Sequence, residues 1–447
     1  MLSAISAGKI DGRTQNVRYR QTQFHRLYDS IVRHLADLEE AIAADSDHTA
    51  GEVQAEIFLA LHEIRTHYAS LDLPASLERE YRVARGKDNG DARRGFGIVY
   101  IVPSQYTLFY SAVAAMSAAL AAGNCIVLEL PVSPSCSSPL LRKILSVLDS
   151  DTFAIVQDRP DADFLRNTLV VAQTALDGPL SENSIASSPG CVAAIVDRTG
   201  SVEKSAEELV VARLAFHGRS PYAPDVILVN EFCLQAFLES VIQQTAKTVG
   251  RMKASERDDR QDDPQENLPG QIIVSGTGWA VVLVKDRDSL LRRKITRRLV
   301  AVHSVSSLDD AIIFCNERSI SATYTFASPA AAKYVSESID APAWINHVPY
   351  NMLVGPVVDQ IQSTRYSASW FEIPRPQIVT RSRTAGQIRA LLGSAVMPLV
   401  ESLPAIDQRP GYRVGFFEQG IITGVCSLVF VSCSLLGMRI LATRQTR

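Results

Sequence analysis

Apolar side chains recur every three or four positions from Thr14 to about Ala44, at Phe24, Leu27, Ile31, Leu35, Leu38 and Ile42. That spacing predicts one long amphipathic helix. Gly51 to about Leu71 repeats it with Val53, Ile57, Leu61 and Ile64 and predicts a second. Residues 82–95 are polar and glycine-bearing, the composition of an exposed hairpin or linker. Beyond them the period changes. Apolar runs of strand length (Gly97–Val102, Asn124–Leu130, Thr152–Gln157, Thr168–Ala172, Val192–Asp197, Val226–Val229, Trp279–Lys285, Leu299–Val305) alternate with helical stretches at Leu108–Ala122, Ser138–Leu148, Asp161–Arg166 and Val202–Phe216. Ser307–Ile312 reads as one more helix start. Unbroken apolar strands must be covered on both faces, and strand–helix alternation predicts parallel sheets flanked by helices, as in dinucleotide-binding domains. Residues 253–267, dense in charge and glutamine, predict a disordered surface loop.

Composition narrows the function classes. A chain of 447 residues has room for two or three domains, and a net charge of −3 gives no basic footprint for nucleic acid. Seven scattered cysteines without Cys-x-x-Cys spacing argue against a zinc site or a disulfide framework and for a reducing compartment. The histidines show no metal-ligand spacing, so no metal is expected. One stretch stands apart: Gly420–Met438 is nineteen residues without a charge. As a helix it would run about 28 Å, near the thickness of a bilayer core. The expectation is a single-pass tail anchor. Met1–Asp11 has no apolar core for a secretory signal, which keeps the main domain cytosolic. Arg439, Arg444 and Arg447 would favour the opposite orientation, and the missing signal outweighs them.

The segment Val211-Ala-Arg-Leu-Ala-Phe-His-Gly-Arg-Ser-Pro-Tyr-Ala-Pro-Asp225, followed by the strand Val226–Val229, resembles the nucleophile segment of the aldehyde dehydrogenases. There a helix ends at Gly-Gln-x-Cys and an Ala-Pro-Asp turn feeds a strand. Gly218 and Ala223-Pro224-Asp225 match; the cysteine position is Pro221. Ala121-Ala122-Gly123-Asn124 before a strand is a second match, and Arg365-Tyr366 with Phe371 resembles the family's closing segment. The N-terminal helices, with Gly12-Arg13-Thr14 and Arg20-Gln21, look like the class 3 branch, which includes fatty-aldehyde enzymes with a hydrophobic tail. The resemblance covers residues 10–380. It implies an α/β, aldehyde-dehydrogenase-like fold with two open-sheet domains plus a C-terminal transmembrane helix. Its parts would be an N-terminal helical pair and hairpin (1–95), a Rossmann-like cofactor-type domain (96–190), a catalytic-type domain (191–350), a closing and oligomerisation segment (351–412) and the tail (420–438).

The family's reaction needs a thiolate nucleophile, an oxyanion hole, a general base and a nicotinamide cofactor. By the resemblance the nucleophile place is Pro221, with neither a thiol nor a backbone N–H, and the oxyanion asparagine is Tyr106, whose hydroxyl could still donate. The base glutamate falls on Ser187, thirty-four positions before Pro221; serine has no useful basicity near neutral pH. The ribose-binding lysine is Glu129, able to accept from ribose hydroxyls. The glycines of the pyrophosphate helix become Ala172 and Asp177, and Gly178-Pro179 would end that helix early. The nicotinamide-ribose grip becomes Lys294 and Thr296. Ser220 and Cys191 are weak substitute nucleophiles. No cofactor is therefore expected, or NAD if any. The expectation is a catalytically inactive, membrane-anchored protein, a non-catalytic subunit or accessory protein that pairs with itself or with an active aldehyde dehydrogenase. The alternative is an oxidoreductase on a lipophilic or biosynthetic aldehyde with non-standard residues.

Overall fold

The computed structural model describes residues 2–46, 48–131, 135–174, 183–186, 190–250, 270–355, 365–393, 403 and 418–430. They belong to two compact units, Met1–Thr380 and Arg381–Arg447.

The first unit carries the strands β1 (Arg93–Gly95), β2 (Ile98–Val102), β3 (Cys125–Glu129), β4 (Phe153–Val156), β5 (Leu169–Ala172), β6 (Ser184–Ala186), β7 (Cys191–Val196), β8 (Val226–Asn230), β9 (Gly270–Gly276), β10 (Trp279–Val284), β11 (Arg298–Val305), β12 (Ile320–Phe326), β13 (Ala343–Ile345) and β14 (Glu372–Pro374). Five form a parallel sheet in the order β4-β3-β2-β5-β6, and seven form a second in the order β13-β12-β7-β8-β11-β10-β9. Only its edge strand β9 runs antiparallel, against β10. The central strands β2, β7 and β8 are buried at every residue, as their unbroken apolar sequences require. β1 pairs with β14, so residues 372–374 return to the N-terminal half.

Helix Leu108–Ala121 is almost wholly buried, and its alanines let other elements approach closely. Its N-cap, Thr107, makes no side-chain cap; instead Glu56 on helix Ala50–Ala69 accepts the Tyr110 N–H at 3.2 Å. The Gly123-Asn124 motif closes this helix structurally. Gly123 is left-handed with φ 82°, and Asn124 donates to Ala119 O and Phe371 O, both at 3.1 Å, while accepting the Gly97 N–H at 2.8 Å.

Several expectations are corrected. The predicted helix over residues 14–44 is broken into Val17–Arg33 and Leu35–Asp45. At the break the His34 N–H turns to Ile31 O in a tightened turn, its ring Nδ1 lies 2.9 Å from Ser30 O, and Leu35 faces solvent. Residues 82–84 are not linker but the end of helix Leu73–Ala84, capped by Asp72 on the Ala75 N–H. None of its side chains is buried, although Leu73, Leu77 and Tyr81 recur at helical spacing. A further helix, Leu2–Asp11, seats Ile5 against Ile98, Tyr100 and Cys125. The helix predicted to reach Phe216 stops at Leu214. The loop predicted at 253–267 lies outside the described residues.

In the second unit, helix Arg383–Leu392 is capped by Ser382 on the Ala385 N–H at 3.0 Å. Residues 418–430 are also helical and expose Ile421, Ile422, Val425, Leu428, Val429 and Phe430. The rest of the charge-free run, 431–438, lies outside the described residues. Among the described residues no helix is long and apolar enough to cross a membrane.

Candidate functional site

Where helix Val202–Leu214 ends, three successive residues, Phe216, His217 and Gly218, take left-handed conformations with φ of 50°, 56° and 68°. Only glycine does this without strain, and at Gly218 a Cβ would come within 2.3 Å of the Arg297 carbonyl oxygen. At the other two the strain is roughly 1–2 kcal/mol each, so neighbours must hold them. The Phe216 N–H donates to Glu52 Oε1 at 2.6 Å, and Glu52 also closes a capping box with Thr49 at the start of helix Ala50–Ala69. The Phe216 ring meets those of His48 and Tyr106 edge-on, with centroids 5.1 and 5.9 Å away. His217 Nε2 sits 3.1 Å from the Arg298 guanidinium.

Pro221 stands at the second position of a β-turn, in which the Ala223 N–H donates to Ser220 O at 3.1 Å. Proline's fixed φ suits that position, and no N–H is required there. Pro221, half-buried in an otherwise buried turn, therefore offers neither a nucleophile nor a backbone donor at the expected atom. Ser220 is fully buried; its oxygen accepts the Tyr222 N–H at 3.2 Å, and its hydroxyl bonds to that of Tyr106. Tyr106 in turn donates to Leu353 O at 2.8 Å. Its phenol proton is thus committed, and burial drives its pKa well above the ordinary tyrosine value. Sequence places Ser220 and His217 near each other, but their partners are Tyr106 and Arg298.

Beneath the turn lies a charged cluster that the sequence reading missed. Arg213 is completely buried on helix Val202–Leu214 and donates to Gly218 O and Ile295 O at 2.9 Å, and to Arg297 O. Its guanidinium is 3.8 Å from Asp225. Asp225 also accepts from the Val192 N–H at 2.7 Å, from the Ile295 N–H at 2.8 Å and from the Lys294 amine at 2.8 Å. Lys294 further donates to Ala223 O at 2.8 Å. Burial lowers the Arg213 pKa to about 10, opposed by Asp225, so the guanidinium stays charged at neutral pH. Burial also lowers that of Lys294, against the same carboxylate. Lys294 thus faces into the protein to clamp the Ala-Pro-Asp turn, while Thr296 faces solvent. A basic residue among the buried apolar positions Leu209, Val210, Ala212 and Leu214 was the available signal for Arg213. Cys191 is buried at the start of β7 and directs its thiol to Leu291 O at 3.5 Å. Burial, then Asp225, raise its pKa to about 11, so it is a protonated thiol at neutral pH.

In the five-stranded sheet the strand order reverses direction between β2 and β5, the crevice where such folds bind dinucleotides. Gln173, immediately after Ala172, spans that crevice: it accepts the Ser104 N–H at 3.1 Å and donates to Ser111 O at 2.9 Å. A buried side chain occupies the end of β5, where backbone would have to approach a pyrophosphate. Glu129, at the end of β3, accepts the Tyr100 hydroxyl. Asp177, Gly178-Pro179 and Ser187 lie outside the described residues.

No protein-family profile matches the chain. Aldehyde dehydrogenase family 3 member B1 of Rattus norvegicus is 24% identical over 356 residues, 69% of this chain and 73% of the rat protein. Its Bos taurus counterpart is 25% identical over 362 residues, 71% of this chain and 75% of the bovine protein. The chain is thus similar to the aldehyde dehydrogenase superfamily, in its class 3 branch. Solved aldehyde dehydrogenases share the fold at low identity. The substrate-bound Staphylococcus aureus enzyme AldH superposes with a TM-score of 0.66 at 15% identity, over 88% of this chain and 99% of that one. A Pseudomonas syringae aldehyde dehydrogenase in complex with NAD+ and octanal gives 0.65 at 16%, over 84% and 87%.

Proposed function

We propose that this aldehyde dehydrogenase relative does not oxidise aldehydes and acts by binding, as a non-catalytic subunit or accessory protein of an aldehyde-handling or biosynthetic pathway. The observation that carries the reading is Pro221 in its β-turn: no atom at the nucleophile place can attack a carbonyl, and no N–H there can hold an oxyanion. Three more features support it. Tyr106 spends its hydroxyl proton on Leu353 O, Gln173 spans the dinucleotide crevice, and Lys294 is bonded to Asp225 where the family places a ribose-binding glutamate. Its partner would be a second copy or an active aldehyde dehydrogenase. Residues 420–438 would tether it to a membrane with the main domain cytosolic, a reading that rests on nineteen charge-free residues. The second reading, an oxidoreductase with unusual residues, is favoured by the shared fold and would use NAD.

The test is thermal melting of the full chain with NAD+ up to millimolar concentration. No saturable shift is expected. A saturable rise would establish an intact cofactor site and favour the oxidoreductase. For the tether, removal of residues 420–447 should move the protein from the membrane to the soluble fraction; retention on membranes would refute it.

A further inference from the structure

Helix Arg383–Leu392, in the second compact unit, buries none of its ten side chains. A helix this short is marginal in water unless something packs against it. Its apolar positions Ala385, Ile388, Leu391 and Leu392 recur at intervals of three and four and share one face. Ile388 is 51% exposed there and Leu392 84%. Arg389 flanks that face, about 100° round the helix from Ile388. Charge sets the segment apart as well. Between Glu372 and Glu401 the sequence holds Arg375, Arg381, Arg383 and Arg389 and no acidic residue. Arg381, Arg383 and Arg389 are exposed, and among the described residues none has a carboxylate within 4.0 Å. Two of them stand at the helix N-terminus, where the backbone dipole is already positive and a cation is unfavourable. Contacts within the helix therefore explain neither its apolar face nor its charge.

An anionic bilayer surface complements both features. Apolar side chains enter the boundary between headgroups and acyl chains, and guanidinium groups meet headgroup phosphates. The helical residues 418–430 of the same unit also expose their apolar side chains. One lipid surface would serve both, where a protein partner would need two grooves. We propose that helix Arg383–Leu392 lies on the surface of an anionic phospholipid bilayer. Ile388, Leu391 and Leu392 enter the acyl boundary, and Arg381, Arg383 and Arg389 rest on the headgroups. The contact does not depend on the tether at 420–438, because it is selective for lipid charge and a charge-free tether is not.

Trypsin reads the contact directly, because it cleaves after Arg381, Arg383 and Arg389. The full-length protein is digested with vesicles of phosphatidylcholine alone or with phosphatidylserine added, and fragments ending at these arginines are followed by mass. Cleavage there should slow at least about fivefold on the phosphatidylserine vesicles relative to phosphatidylcholine, and the protection should vanish at about 1 M salt, where surface charges are screened. I388Q/L392Q keeps all three cleavage sites and should lose the protection. Both side chains are exposed, so the variant should fold, which its melting temperature checks. In sedimentation, R381Q/R383Q/R389Q should lower the ratio of phosphatidylserine to phosphatidylcholine affinity about a hundredfold, at about fivefold per basic residue. A control, R18Q/R26Q, removes two exposed arginines elsewhere and should leave that ratio unchanged. If only the tether reading fails, the protein does not sediment with phosphatidylcholine and the phosphatidylserine protection remains. Equal protection on both vesicles, protection kept in I388Q/L392Q, or an unchanged ratio in the triple variant would overturn the proposal. So would protection that grows with protein concentration in the absence of lipid, which would place a second copy on this face.

Discussion

The turn at residues 213–225 and the crevice between β2 and β5 both sit where the family does its chemistry, yet they differ from it in opposite ways. At the turn the backbone frame is intact: Gly218 and Ala223-Pro224-Asp225 occupy their places, the φ angles are demanding, and a buried arginine, aspartate and lysine hold the loops together. At the cysteine place stands Pro221, with neither a thiol nor an N–H. At the crevice the strands keep their register, but a glutamine side chain fills the opening and joins its two walls. On the proposed reading, the first region lacks a reagent and the second lacks a space. Helix Ala50–Ala69 serves both, since Glu52 holds Phe216 while Glu56, one turn on, caps the helix that follows Tyr106. The folding requirements of a site can thus outlast its chemistry, because the same buried groups that aim a nucleophile also satisfy loop carbonyls.

Perturbing the turn should have the largest effect. Arg213→Ala removes one of the two cations beside Asp225, which keeps Lys294, and leaves the carbonyls of Gly218, Pro224, Ile295 and Arg297 without their guanidinium donor, so a loss of about 3–4 kcal/mol is expected in urea unfolding; a loss below about 1 kcal/mol would mean that the cluster does not hold the turn. Next comes the helix shared by both regions. Burial raises the Glu56 pKa to about 7, opposed by backbone N–H bonds, against an unfolded value near 4.5. The folded state therefore holds the proton where the unfolded state has released it, and stability is full below pH 4.5 and falls as pH rises through 7, by about 3 kcal/mol. Glu56→Gln should flatten that slope; an unchanged slope would assign it to other groups. Gly218→Ala meets both the left-handed φ and the Arg297 carbonyl and should cost about 2 kcal/mol. Gln173→Ala, on the crevice side, leaves the Ser104 N–H unmatched and removes a second donor from Ser111 O, which keeps its helical bond, and should cost about 1 kcal/mol. If that variant gained a saturable NAD+ response in thermal melting, the crevice would be plugged by one side chain rather than lost.

Strands and helices with a strong apolar period were legible in sequence, because burial on both faces writes itself as an unbroken run, as in β2, β7 and β8. Helix Leu73–Ala84 was passed over, although Asp72 and Pro74 mark its start and Leu73, Leu77 and Tyr81 recur at helical spacing. The family resemblance assigns a set of site positions, with Pro221 at the cysteine place. What the side chains there do instead was not legible. No local pattern shows that Tyr106 turns to Leu353, 247 residues away, or that Gln173 reaches Ser104 and Ser111. Lys294 read as a lost glutamate, and only its distance to Asp225 shows it as a clamp.

The most direct test of the central claim is NADH formation by the purified full-length protein with NAD+ and hexanal or a long-chain aldehyde, run beside Cys191→Ala and Ser220→Ala. The account predicts no turnover above a protein-free control in any of the three. Saturable NADH production by the wild type, abolished by either substitution, would contradict it and identify the replacement nucleophile.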